Sequence, residues 1–270
     1  MTNPTYQSGF YAPGRGTAKY PELWRGCVGA WNPGLGNTGL VLRDWSGNQN
    51  NGVLTGGPTW GVSGGRQALS FDGSNDYVDC GDVLNQTTND FTLSVWIKTT
   101  QTSRGYILSK QEFSAAAGYH LEINGTGVGK ARVGISDGTN AAFDSTSTGY
   151  NDGGWHHVLV VFDRSGVATF YKDGIADGSS SIVTASGDTS NTQPFVIGAN
   201  SDHVNALYTG QLSGIRVYNR ALSLNEIRLL AQRPGIAYER APRKFYSLPA
   251  AAGNPTGILI NNLQSIRLGL

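Results

Sequence analysis

Five glutamates, four histidines and two cysteines carry most of the chemistry this sequence can offer, and their spacing restricts it. Retaining glycoside hydrolysis needs a carboxylate nucleophile and a carboxylic acid about 5 Å apart. Glu22, Glu112, Glu122, Glu226 and Glu239 are all ten or more residues from one another, so no strand carries such a pair among them. Gly61-Val62-Ser63-Gly64-Gly65 has the letters of a nucleophile elbow, but that motif requires a strand before it and a helix after it. Its C-terminal neighbour is RQALSFDG, a strand pattern, so the segment reads as a glycine loop. GTGVGK (125–130) imitates a phosphate loop, yet Asn124 stands where the first glycine belongs and Ala131 replaces the magnesium-binding hydroxyl. It reads as a hairpin turn. His156 and His157 adjoin on a strand, point to opposite faces and so share no metal. Cys27 and Cys80 lie too far apart in sequence for a zinc knuckle; two free buried thiols are favoured over a single disulfide. The expected set of catalytic residues is empty.

Binding chemistry has more candidates. Asp72, Ser74 and Asp76 place three oxygen side chains at alternating positions in a loop, a start on the six to eight oxygens that Ca²⁺ requires. The alternative is that these side chains accept from the amides of their own turn. Calcium is the one cofactor weighed, and none is required. Trp96 shares a strand face with Thr92, Ser94 and Lys98, which makes its ring a candidate platform for a sugar; Tyr119 and Tyr208 are the other aromatic candidates. For all three the competing role is packing, because large rings bury well.

These side chains need strands to position them. FTLSVWIK (91–98) puts Phe91, Leu93, Val95 and Ile97 on one face, the period of a half-buried strand whose other face meets solvent or ligand. WHHVLVVF (155–162) is apolar at both parities, as a central strand covered on both sides should be. Asp173-Gly174, Asn124-Gly125 and Asn51-Gly52 are turn signals. One helix is predicted from Leu224 to Gln232, opened by the capping box Ser223/Glu226 and the staple Leu222/Ile227 and stopped before Pro234. With 38 glycines, 12 tyrosines, 6 tryptophans and only 14% charged residues, the composition is that of an all-β chain. A formal net charge of +1 gives no bulk reason to bind nucleic acid. No run of 18 apolar residues is present, so membrane insertion is not expected, and the first twenty residues lack a signal-peptide pattern.

Seven segments together resemble the laminin G-like, concanavalin A-like lectin/glucanase family. They are VGAWNPG (28–34), LRDWSGNQNNGVL (42–54), ALSFDGSNDYVDCG (68–81), FTLSVWIK (91–98), GGWHHVLVVFDRSGVATFYKDG (153–174), PFVIGAN (194–200) and GQLSGIRVYNRALSLNEI (210–227). The resemblance implies a two-sheet antiparallel jelly-roll sandwich over residues 22–232, with any ligand on the concave face or its rim. Glucanases of that architecture use an E-x-D-x-x-E strand, which this chain lacks. Calcium-binding members tend to carry acidic residues before the RVY strand, where this chain has Ser213 and Gly214.

Residues 1–21 and 233–270 change texture: basic and aromatic side chains among Pro, Gly and Ala flank a mildly acidic middle. They are expected to be arms, with Arg15, Lys19, Arg240, Arg243, Lys244, Phe245 and Tyr246 as partner-binding residues. No catalytic set, no leader, few lysines (6) against 14 arginines and sticky ends together suggest a non-enzymatic virion protein. A bacteriophage capsid decoration, head-fibre or tail component, held by its arms to virion proteins or to itself, fits that pattern. The alternatives are a free carbohydrate-binding module or lectin that recognises a cell-surface glycan, and a bacterial surface or interaction domain.

Overall fold

Glycine-punctuated alternation builds sixteen strands and one short α-helix among the described residues of the computed structural model, which are 18–35, 39–112 and 116–241. The strands form two antiparallel sheets of eight. The first holds β1 (Cys27–Trp31), β4 (Thr59–Ser63), β5 (Arg66–Asp72), β7 (Phe91–Lys98), β12 (His156–Asp163), β13 (Val167–Lys172), β14 (Ile175–Ser181) and β16 (Thr209–Tyr218). Its order is β14-β13-β12-β7-β16-β5-β4, with β1 also on β16. The second holds β2 (Val41–Leu42), β3 (Gly52–Thr55), β6 (Tyr77–Asp79), β8 (Gly105–Ser109), β9 (Gly118–Ile123), β10 (Ala131–Ser136), β11 (Asn140–Asp144) and β15 (Val196–Ile197). Here the order is β11-β10-β9-β8-β15-β6-β3-β2. The non-sequential order is that of a jelly-roll sandwich, as the resemblance implied.

The inward faces meet in one apolar core. Phe91, Leu93, Val95 and Ile97 lie in it as their alternation requires, and Phe91 stacks on Phe162 at 4.0 Å between ring centres. β12 pairs β7 on one side and β13 on the other, the central place its double-sided apolarity called for. Asp173 and Gly174 take φ of 53° and 83° between β13 and β14, the primed turn that suits a hairpin's twist. The GVSGG segment is the β4–β5 hairpin, and the GTGVGK segment joins β9 to β10. Asn51-Gly52 makes no hairpin turn. Gly52 opens β3, where an added Cβ would stand 2.3 Å from Val78 Cγ1, so the missing side chain serves close packing.

The expectation that β7 would leave one face to solvent or ligand is corrected. Thr92, Ser94 and Trp96 are as buried as their neighbours, because a second apolar cluster caps this side of the first sheet. It gathers Leu23, Trp24, Leu159, Tyr218, Leu222, Ile227, Leu230, Ile236 and Ala237. Ser223 caps helix α1 (Leu224–Leu230) with both bonds of the capping box; the predicted last turn to Gln232 is non-helical.

The expected boundary at residue 232 is also corrected. Arg216 donates from Nη2 to the Pro234 carbonyl (2.8 Å) and Trp24 from Nε1 to the Ala237 carbonyl (2.7 Å). Ala18 bridges to Arg240, and Lys19 pairs with Glu239 through backbone (2.8 Å) and side chain (3.1 Å). Apolar side chains just past the helix find their burial on this sheet, so residues 18–21 and 233–241 belong to the folded body. Lys19 and Arg240 thus sit in internal pairings. Arg15, Arg243, Lys244, Phe245 and Tyr246 lie outside the described residues.

Candidate binding site

With α1 and the 236–238 turn over the first sheet, the outer face of the second sheet remains. Along β9, Tyr119, Leu121 and Ile123 point into the core, so His120 and Glu122 point out. The register then sets a row across four strands: Tyr106 opposite Glu122, Glu122 opposite Arg132, and Arg132 opposite Asp144. Directly opposed residues in an antiparallel sheet bring their side chains together. Arg104 Nε donates to Glu122 Oε2 (2.6 Å) and Nη2 to the Tyr106 hydroxyl (2.6 Å). Arg132 Nη1 donates to Asp144 Oδ1 at 2.9 Å and its Nε lies 3.6 Å from Glu122 Oε1. The Tyr106 and His120 rings meet edge to face at 5.3 Å.

His120 sits opposite Gly134, where an added Cβ would be 2.3 Å from its Cε1; the glycine makes room for the ring. Gln111 Nε2 donates to the Ala116 carbonyl, and its Oε1 lies 2.6 Å from His120 Nδ1. An amide oxygen only accepts, so His120 carries its proton on Nδ1 and presents Nε2 as an acceptor. Burial, aided by Arg104 and Arg132, pushes its pKa down to about 3, which keeps the ring neutral. Burial also raises Glu122 above the ordinary carboxylate range, although both arginines pull the other way. On Arg104 the burial effect is outweighed by Glu122, and its pKa rises.

Glu122 has 0% exposed surface, yet the Arg104 side chain over it keeps 46%. Segment 199–206 folds against this corner, with Ala206 O accepting from Tyr106 N and Asn200 Nδ2 donating to Glu112 O. Under that layer, His120 Nε2 and Glu122 Oε1 are both buried without a hydrogen-bond partner among the described residues. Two acceptors without a hydrogen bond beside an aromatic edge, Glu122 Oε1 also facing Arg132 Nε at 3.6 Å, suit a ligand that brings hydroxyl donors. Glu122 and Asp144, both held by Arg132, do not form the free acid and base pair of a hydrolase.

The aromatic platform read from the sequence is not found at the surface for any of its three candidates. Trp96 is 3% exposed, donates from Nε1 to the Leu230 carbonyl beneath α1 and carries Arg66 on its ring at 4.0 Å. Tyr119 and Tyr208 are fully buried in the inter-sheet core, with hydroxyls donating to Leu84 O (2.8 Å) and Lys98 O (3.3 Å). Their apolar ring area is worth more in the core than on a rim, and their polar atoms find backbone acceptors there.

In the 72–76 loop, Asp72 Oδ1 accepts from Ser74 N (2.7 Å) and Asp76 Oδ2 from Asp72 N (2.9 Å), the turn-capping alternative. Among the described residues no three His, Cys, Asp or Glu side chains gather as a metal site. His157 is buried against Ser94 Oγ (2.9 Å), while His156 lies between Asp152 and Asp173 on the other side of the strand. Cys27 and Cys80 are both buried and free.

Sequence reasoning weighed Glu122 only as half of a catalytic pair and passed over Arg104, Tyr106, His120, Arg132 and Asp144. A signal existed in GYHLEI (118–123), where His and Glu occupy one parity and Tyr, Leu and Ile the other. Which charges lie across from them depends on register alone.

Residues 72–228 match the family described as the concanavalin A-like lectin/glucanases superfamily. Over 155 residues the chain is 28% identical to adhesion G-protein coupled receptor V1 of Danio rerio, a stretch that is 54% of this chain and 2% of the receptor. Among solved structures, the binding domain of Paraclostridial Mosquitocidal Protein 1 superposes with a TM-score of 0.62 at 18% identity, over 76% of this chain and 52% of that one. The receptor binding domain of botulinum neurotoxin D gives 0.57 at 16% identity, over 77% and 52%. Domain 4 of AbnA, a GH43 extracellular arabinanase from Geobacillus stearothermophilus in complex with arabinotriose, gives 0.58 at 18% identity, over 76% and 98%. At these identities the structures share the fold. The chain spans about half the length of the two toxin domains and a small fraction of the receptor.

Proposed function

The chain belongs to the concanavalin A-like lectin/glucanase superfamily, and from that premise we propose that it is a non-catalytic, lectin-like module that binds a saccharide on the outer face of its second sheet. The observation that carries this reading is the buried acceptor pair of His120 Nε2 and Glu122 Oε1 beside Tyr106, neither of which receives a hydrogen bond among the described residues. Sugar hydroxyls supply the donors such acceptors lack where they displace the half-exposed Arg104 side chain, which covers the buried Tyr106 ring at 4.7 Å. Relatives described as receptor-binding domains, and an arabinanase domain seen with arabinotriose, support a binding role on this fold.

The test is a glycan array followed by calorimetry on the best neutral oligosaccharide. Tyr106→Ala and Glu122→Gln should each weaken binding by about tenfold or more, the loss of roughly one well-made polar or stacking contact. Absence of binding across the array, or full affinity in both variants, would overturn the reading.

A virion setting concerns where the module is displayed rather than its chemistry. Its support is the basic, aromatic composition of residues 1–17 and 242–270. Copurification of the chain with particles from its source, lost when residues 242–270 are removed, is the expected result; a chain found only free would exclude it.

A further inference from the structure

Arg66 lies on the first sheet, away from the site just described. The β4–β5 hairpin sets it opposite Ser63, with its guanidinium 4.0 Å from the Trp96 ring centre and 5.8 Å from that of Trp155. Both rings are fixed independently of it: Trp96 donates to Leu230 O and Trp155 to Ser63 O at 3.1 Å. The guanidinium therefore has a preset plane. Among the described residues it makes no salt bridge, and its Nη1 is buried without a hydrogen-bond partner. A guanidinium stacked by its face keeps its in-plane N–H fork for a planar or tetrahedral oxyanion.

The same side chain lines a groove of about 240 Å³. Asn32, Gln67 and Arg233 share the wall, and none of its lining residues is acidic. Asn32 accepts from the Gly34 amide with Oδ1 (3.0 Å), which leaves its Nδ2 as a further donor. Arg233 is paired with Glu239, so Arg66 is the guanidinium of the groove without an ion pair among the described residues, Asp173 acting on it only from a longer distance. The volume falls below the roughly 300–1,000 Å³ of drug-sized pockets, which matches one sugar unit or a small ion rather than a chain.

We propose that this groove is a second binding site, which takes the carboxylate or sulfate group of a single acidic sugar residue on the Arg66 fork. It does not depend on the second-sheet site. The chemistry is shared with free inorganic oxyanions, and the test separates the two sources.

The full chain is titrated with glucuronate, with glucose as its neutral counterpart and with inorganic sulfate, by calorimetry and by tryptophan fluorescence. Trp96 and Trp155, two of the six tryptophans, lie against the Arg66 guanidinium, so the part of the fluorescence change that is lost in Trp155→Phe reports on it. Glucuronate should show an Arg66-dependent binding that glucose, as a neutral sugar, does not. Arg66→Gln should weaken glucuronate by about tenfold or more, as expected for loss of a charge-assisted fork, and Tyr106→Ala should leave it unchanged. Sulfate binding as tight as glucuronate would uphold the oxyanion site but assign it to free ions, overturning the sugar. No binding of either anion, or undiminished binding in a folded Arg66→Gln, would overturn the site itself. Should Arg66→Gln lose its fold, Arg66→Lys keeps the charge and the stem but not the fork, and is expected to weaken binding in the same direction; an unchanged affinity there would count against the proposal.

Discussion

Arg216 donates from Nη2 to the carbonyl of Pro234 at 2.8 Å, and this fully buried guanidinium ties the last strand to a segment 18 residues further on. Its Nη1 donates to Gly214 O, so both ends of the fork rest on backbone. A truncation ending at Arg233 removes the Pro234 acceptor together with buried Ile236 and Ala237. Unmet burial of a charged donor costs about 1–3 kcal/mol or more, and each large apolar side chain contributes roughly 1.5–3 kcal/mol. Denaturant titration should show that truncation at least about 3 kcal/mol less stable than one ending at Ala241. Equal midpoints would mean that residues 234–241 are only an appendage.

The helix cap offers a graded test. Ser223 Oγ accepts from Glu226 N, and Glu226 accepts from Ser223 N at 2.9 Å while also binding Arg220. Ser223→Ala is expected to cost about 0.5–2 kcal/mol. Glu226→Ala should cost more, because Arg220 also holds the carbonyls of Arg25 and Glu22 and loses its counter-charge. The reverse order in thermal unfolding would show that Arg220 finds another partner.

Acid sensitivity follows from the two buried imidazoles. His120 and His157 are both pushed down to about 3, burial being the first cause. Below about 6.5 the unfolded chain binds two protons that the folded chain does not, so stability falls as pH falls from 6.5 towards 3. Each histidine contributes a slope of about 1.4 kcal/mol per pH unit. Urea titrations between pH ~6.5 and ~5.5 should show this fall, which the raised Glu122 carboxyl opposes as it takes up its proton, and His120→Gln should reduce it by about half. A flat profile would be incompatible with neutral buried rings.

Gly134→Ala probes the site without touching a polar group. The new Cβ would overlap His120 Cε1, so the ring must move and its bond to Gln111 must break. The expected result is weaker saccharide binding with a modest loss of stability, of order 1–3 kcal/mol. Unchanged affinity would place the ligand away from His120.

The period of the apolar residues in FTLSVWIK and WHHVLVVF, the capping box at Ser223 and the Asp173-Gly174 turn were legible in the sequence, because each depends on neighbours a few residues away. So were the all-β class and the family's sequence of segments. Burial of the second face of β7 was not legible, since it depends on α1 and residues 233–238 returning from far along the chain to cover it. Trp96 looked like a ligand platform for the same reason: a strand's alternation tells which face a ring is on, never what lies over that face. The meeting of Tyr106, Glu122, Arg132 and Asp144 is set by the register of four strands. A one-residue slip would turn every one of those side chains to the other side. Local sequence thus determined the elements and their polarity, while the tertiary pairing decided which charges met and which aromatics were hidden, because those outcomes rest on long-range contacts that no local pattern encodes.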